Sequence, residues 1–179
     1  MDSQKSYKPF ILSYAVAFVS VLVLLGVDQW SKSLATEYLK NQDSITLIPG
    51  VFMLHYLENT GAAFGLFQGG FPIFVTGAIL ITIMVIYLYG RMPLTKRYLP
   101  LRICAVLLVA GAIGNMIDRF AHGFVIDFFY FYLIDFPIFN VADVYVVVSC
   151  ITIAVVILFV YKEHELDVLF PKLKKKSGE

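Results

Sequence analysis

Residues 141–161 read VADVYVVVSCITIAVVILFVY. One carboxylate, Asp143, stands near the start of this run, and no cation follows until Lys162. A hydrocarbon core roughly 30 Å thick needs a helix of about 20 apolar residues to cross it. The run is therefore a candidate span that carries its single charge at one end. Three further runs, 10–27, 71–90 and 101–118, are also long enough once tilt is allowed. The chain as a whole agrees: 59% of its 179 residues are hydrophobic and only 15% charged, too little polar surface to solvate a soluble domain of this size. The expected fold class is an all-α polytopic membrane protein. Four transmembrane helices and a small β-containing extracytoplasmic cap would form a single integral membrane domain over 1–179.

Lysine and arginine set the expected orientation, because basic loops are retained on the cytoplasmic side. With the N-terminus inside, the inner segments hold Lys5, Lys8, Arg91, Lys96, Arg97, Arg102, Lys162, Lys172, Lys174, Lys175 and Lys176. Lys32, Lys40 and Arg119 are left for the outside. Both termini are thus expected in the cytoplasm, with the cap over about 28–70 and a second outer loop over about 119–140. The first run follows Lys5 and Lys8 as a signal peptide would. It is longer than an ordinary signal core, however, and Leu24-Leu25-Gly26-Val27-Asp28 is a poor cleavage site, so it is read as an anchor. Within the cap, 33–40 has helical character, and 44–57 contains short apolar stretches broken at Pro49-Gly50, as strands around a turn would be. Gly69-Gly70-Phe71-Pro72 punctuates entry to the second helix. The lysines of 162–179 are read as a topological anchor rather than a lipid-recognition patch.

Several function classes fall away. A net charge of +1, with no nucleic-acid motif among the basic residues, gives no reason to expect nucleic acid as a partner. Cys104 and Cys150 sit inside apolar runs, where a thiol is a packing residue rather than a nucleophile. His164-Glu165 is followed by Leu-Asp-Val, so there is no H-E-x-x-H, and no G-x-S-x-G elbow is present. Ser31 and Lys32 are adjacent and would point about 100° apart on a helix, which rules out a dyad between them. No metal or other cofactor is expected.

Polar side chains at membrane depth cost roughly 2.5–3.5 kcal/mol each on insertion scales, so a cluster of them calls for a reason. Here they gather at the outer ends: Asp28 and Lys32 after the first run, Asn115, Asp118 and Arg119 at the end of the third, Asp127 in the following loop, and Asn140 with Asp143 at the start of the fourth. Gly111, Asn115 and Arg119 recur every four residues and share one helix face, which would also suit a packing seam with a snorkelling arginine. Asn140 precedes the fourth run as an N-cap should. Asp143 then falls in the first turn, where free N–H groups favour negative charge, a position that a purely structural cap would also explain. Asp127 lies between Phe124-Val125-Ile126 and Phe128-Phe129, surroundings apolar enough to raise a buried carboxyl's pKa. Two carboxylates in unlike environments are what acid–base hydrolysis requires. Spacing alone does not bring them together, although 128–139 is long enough to loop back and Pro137 can fix a turn.

Five segments, in order, resemble the bacterial lipoprotein signal peptidases, or signal peptidase II: Asp28-Gln29-Trp30-Ser31-Lys32; Asn59-Thr60-Gly61-Ala62-Ala63-Phe64-Gly65; Gly111-Ala112-Ile113-Gly114-Asn115-Met116-Ile117-Asp118-Arg119; Val125-Ile126-Asp127-Phe128; and Phe139-Asn140-Val141-Ala142-Asp143. The resemblance implies an aspartic endopeptidase without cofactor, multi-pass in the bacterial inner membrane with its active site at the outer face. Its substrate would be a diacylglyceryl-modified prolipoprotein, cut on the amino side of the lipidated cysteine. Other partners implied are membrane lipids, and the enzyme would be a monomer. The resemblance makes Asp127 and Asp143 the catalytic pair. It gives Asn59, Gly111, Asn115, Arg119 and Asn140 supporting or substrate-positioning roles, with Asp28 and Lys32 a structural pair beside the site. The rival from another class is a small proton-coupled transporter using the same carboxylates as a relay. It predicts acidic groups deep in the membrane and repeat symmetry, and the sequence has neither. A non-catalytic scaffold would treat the same polar cluster as caps and anchors only.

Overall fold

The structure, a computed structural model, describes residues 8–61 and 71–169. Ala62, Ala63, Phe64, Gly65, the Gly69-Gly70 pair and the basic residues Lys5, Lys172, Lys174, Lys175 and Lys176 lie outside the described residues. In chain order the main elements are α1 (Lys8–Leu39), β1 (Ile45–Ile48), β2 (Phe52–Asn59), α2 (Phe71–Arg91), α3 (Leu99–His122), β3 (Val125–Tyr130), α4 (Val141–Val155) and α5 (Glu163–Leu166). Among the described residues three helical stretches are long and apolar enough to cross a membrane: Pro9–Leu39, Lys96–His122 and Val141–Val160. The apolar stretch Val75–Arg91 within α2 is shorter.

α1 does not stop where its apolar run ends. At 1.5 Å per residue its 32 residues extend about 48 Å, well beyond a hydrocarbon core, and the surplus turns carry Asp28, Lys32 and Thr36. Neither Gly nor Pro interrupts 28–39, so the helical stretch read at 33–40 is a continuation of the first span. Asn41, at φ 61°, ends it in the left-handed conformation that Asn tolerates.

The hairpin expected over 44–57 is present as β1 and β2, turning through Gly50 at φ 78°. A third strand joins it: β3 pairs antiparallel with β2, giving the order β1-β2-β3. Asp127 therefore stands on a strand, not in a loop. α3 runs on to His122 and is closed by Gly123 at φ 83°, whose N–H bonds Arg119 O at 3.0 Å, and the chain turns directly into β3. Ile126 and Phe128 of β3 pack with Ala35 and Leu39 of α1, so the sheet rests on the C-terminal end of the first helix.

Two contacts set the path into α4. Phe129 and Phe139 exchange backbone hydrogen bonds of 2.8 and 3.1 Å, which returns the chain to β3 one residue before Asn140. Against α3, α4 packs so closely that a Cβ on Gly111 would lie 2.6 Å from Ala142 O, while one on Gly114 would lie 2.6 Å from Asp28 Oδ2 of α1. The small-residue seam read from the sequence thus meets the α4 backbone at Gly111 and makes room for the Asp28 side chain at Gly114. Cys104 is buried, whereas Cys150 faces outward from α4.

Candidate active site

Asn140 is the N-cap of α4, and its capping box fixes the site's geometry. Its Oδ1 accepts from Asp143 N at 3.0 Å, and its own N–H donates to Asp143 Oδ2 at 3.1 Å. With Oδ1 committed to the cap, Nδ2 faces the other way. It donates to Asp127 Oδ1 at 2.6 Å and to Asn115 Oδ1 at 3.0 Å. One residue therefore touches both aspartates, with its side chain on Asp127 and its backbone on Asp143.

Asn59 and Asn115 complete the frame by the same logic. Asn59, at the end of β2, accepts from Gly61 N through Oδ1 at 3.0 Å, which leaves Nδ2 to donate to Asp127 Oδ2 at 2.8 Å. Asn115 Oδ1 accepts from both Lys32 Nζ and Asn140 Nδ2 at 3.0 Å, so its Nδ2 is aimed at Asp143 Oδ1, 2.7 Å away. Each carboxylate thus has both oxygens engaged. Arg119, half-buried one turn further along α3, donates to Asn115 O at 3.2 Å and to Gly61 O at 3.4 Å.

Beneath this layer lies a buried charge cluster. Lys32 Nζ sits 2.9 Å from Asp28 Oδ2 and 2.9 Å from Asp118 Oδ2, and all three side chains are almost inaccessible. Asp28 Oδ1 also accepts from Ala142 N at 2.9 Å, and so serves a free N–H in the first turn of α4. Asp118 Oδ2 accepts from Ile126 N at 3.2 Å, tying α3 to β3. Two participants escaped the sequence reading of the site. Gln29 Nε2 donates to Asp118 Oδ1 at 2.9 Å and to Asp28 Oδ2 at 3.1 Å, and Asp118 had been noted only as one of the outer polar residues. The signal for Asp118 was available: it follows Gly114 by four residues, as Lys32 follows Asp28, so each pair shares a helix face.

Asp127 and Asp143 both line a cavity of about 510 Å³, together with Asn59, Gly61, Asn115 and Arg119. Its other wall is apolar: Phe136, Pro137, Ile138 and Phe139 from the return segment, and Val144, Val147 and Val148 from α4. Val147 and Val148 are exposed, so the cavity opens along the outward face of α4. Burial, followed by the negative charge of Asp143, pushes the Asp127 carboxyl up to about 7, against the opposing pull of its bonds to Asn59 and Asn140. A carboxyl there is partly protonated near neutrality. Asp143 accepts at both oxygens in the first turn of α4. Among the described residues no group of three or more His, Cys, Asp or Glu side chains is placed to hold a metal ion.

Residues 20–159 match the family model described as signal peptidase (SPase) II. The chain belongs to the signal peptidase II family. Similar proteins bearing the name lipoprotein signal peptidase include one from Symbiobacterium thermophilum, 42% identical over 84% of this chain and 93% of its own length. Another, from Clostridioides difficile, is 40% identical over 78% and 92% respectively. A solved structure described as a bacterial membrane enzyme superposes with a TM-score of 0.71 at 29% identity, covering 92% of this chain and 94% of that one. A second, described likewise, gives 0.70 at 30% identity over 82% and 95%. Signal peptidase II membership and this fold agree on a multi-pass membrane protein. They do not favour the transporter reading.

Proposed function

We propose that this protein removes the signal peptide from diacylglyceryl-modified prolipoproteins as an aspartic endopeptidase, cleaving on the amino side of the lipidated cysteine. The observation that carries this reading is the convergence of Asp127, from β3, and Asp143, from α4, on one cavity that is polar at its end and apolar along its wall. A water held between the two carboxylates attacks the scissile carbonyl. Asp143 takes the proton from that water, and Asp127, protonated, donates a hydrogen bond to the carbonyl oxygen as it gains charge. Asn115 and Asn140 hold the carboxylates in place. Asn59 holds Asp127 in the same way, and Arg119 lines the cavity beside them, where a substrate backbone would pass. The apolar wall along α4 suits the signal peptide helix and the lipid chains, which enter sideways from the bilayer.

In this reading α2 completes a set of four spans, since its 21 residues carry no charge before Arg91 at its end. Both termini lie in the cytoplasm of a bacterial cell and the carboxylates face the outer side of the inner membrane, as the distribution of lysine and arginine supports. The dyad and its supports all come from one chain, which favours a working monomer in contact with membrane lipids.

The test is processing of a purified, lipidated prolipoprotein by the reconstituted protein. Wild type is expected to cleave it. Asp127→Asn and Asp143→Asn are each expected to lower the rate by at least about 10²–10⁴-fold, the usual contribution of a positioned acid or base. Intact processing by either variant would overturn the dyad, and failure of the wild type would overturn the substrate assignment.

A further inference from the structure

We propose that the face of α1 and α3 remote from the aspartates is a binding site for one anionic phospholipid. A cavity of about 760 Å³ lies there, walled by Val16, Val19, Val23 and Leu24 of α1 and by Ile103 and Val106 of α3. On α1 it runs from Ser13 to Leu24. At 1.5 Å per residue that is about 17 Å, close to half of a hydrocarbon core roughly 30 Å thick. The groove therefore spans a single leaflet, as one acyl chain of a phospholipid does. Asn115 and Arg119 lie at the opposite end of α3, which puts the lipid in the leaflet opposite the aspartates.

The mouth of the groove selects the head group. Lys96 and Arg102 both line it. Arg102 is half-buried, stacks over the Tyr89 ring at 4.7 Å and donates to Tyr89 Oη at 2.8 Å. Tyr89 is fixed in turn by Ser13, whose Oγ lies 3.0 Å from its hydroxyl. Neither Lys96 nor Arg102 has an ion pair among the described residues, whereas neighbouring Arg97 is bridged to Glu165 at 2.9 Å. Two cations left without carboxylates at the water-facing end of an apolar groove match a lipid phosphate with a net negative charge. A zwitterionic head would bring its own cation against them.

Native mass spectrometry of the full chain, released from micelles after exchange with phosphatidylglycerol or phosphatidylcholine of equal chain length, tests this. Wild type is expected to retain phosphatidylglycerol preferentially. Each removed cation should lower that retention about fivefold, the weight of one basic residue at a membrane surface. Lys96→Gln and Arg102→Gln should therefore each weaken it, and Arg102→Lys should keep most of it. Lys96 is exposed on a surface turn, so its substitution reads the head-group effect without disturbing packing. Equal retention of the two lipids by wild type, or undiminished phosphatidylglycerol in Lys96→Gln and Arg102→Gln, would overturn the proposal. The readout is independent of processing activity.

Discussion

Asp127 carries the site's principal electrostatic cost. Its carboxyl is raised from an ordinary 3.8 to about 7, so between those values the native state binds more protons than the unfolded chain. Stability from this group is then greatest at low pH and declines as pH rises through the window. From pH 5 to 8 the decline amounts to roughly 1–3 kcal/mol. Asp127→Asn cannot ionise, so thermal unfolding in detergent should show a flatter pH dependence for the variant than for wild type; parallel profiles would refute the assignment. Lys32 is the opposite case, a cation whose removal leaves Asp28 and Asp118 buried with neutral hydrogen-bond donors but no counter-charge. Lys32→Met is expected to cost about 3–5 kcal/mol, by analogy with broken buried ion pairs. Adding Asp28→Asn should restore part of that stability, an interaction energy that a double-mutant cycle measures.

Between elements, the decisive contact is the α3–α4 seam. A methyl on Gly111 would meet Ala142 O at 2.6 Å and Val146 Cγ2 at 2.7 Å, and the first of these is backbone and cannot rotate away. Gly111→Ala must push the helices apart, at a cost of about 1–3 kcal/mol in packing. The same movement separates Asn115, on α3, from Asp143, on α4. A misplacement of about 1 Å can cost 10²-fold in rate, so processing should fall far more than the melting temperature suggests. The seam, the Asn140 cap and the hairpin turn at Gly50 were all legible in the sequence, because each rests on a residue type with a local reason to be there. β3 was not. Val125, Ile126, Asp127 and Phe128 are all buried, so the strand lacks the alternation that marks a half-exposed one, and it reads as an apolar loop. The continuation of α1 through 28–39 was hidden for a related reason: hydropathy ends the span at Asp28, while the helix is carried on by polar residues that bury their charges against α3.

Across the whole molecule, the site joins α1, β2, β3, α3 and α4, and the family resemblance was needed for the pairing of Asp127 with Asp143 and for the place of Asn59 beside them. Local spacing gave the two aspartates unlike settings. It could not place them together, because the contact depends on Phe139 returning to β3, a long-range backbone pairing without a sequence signature. That assembly also links the sheet to the titration of the dyad. The proposed mechanism requires one carboxylate charged and one protonated, so under it the rate should follow a bell-shaped pH profile whose limbs belong to the pair rather than to either residue. The alkaline limb marks loss of the shared proton, and with Asp127 near 7 it is expected close to neutrality. Asn59, reaching in from β2, donates to Asp127 Oδ2 and holds its pKa down. Asn59→Ala removes that bond, so the proton is held more tightly and the limb moves to higher pH, by about one unit for one hydrogen bond to a charged group. Activity at pH 7 should fall in the same variant, since Asp127 loses a fixed partner. A limb displaced to lower pH, or left where it was, would mean that Asn59 does not govern the proton on Asp127.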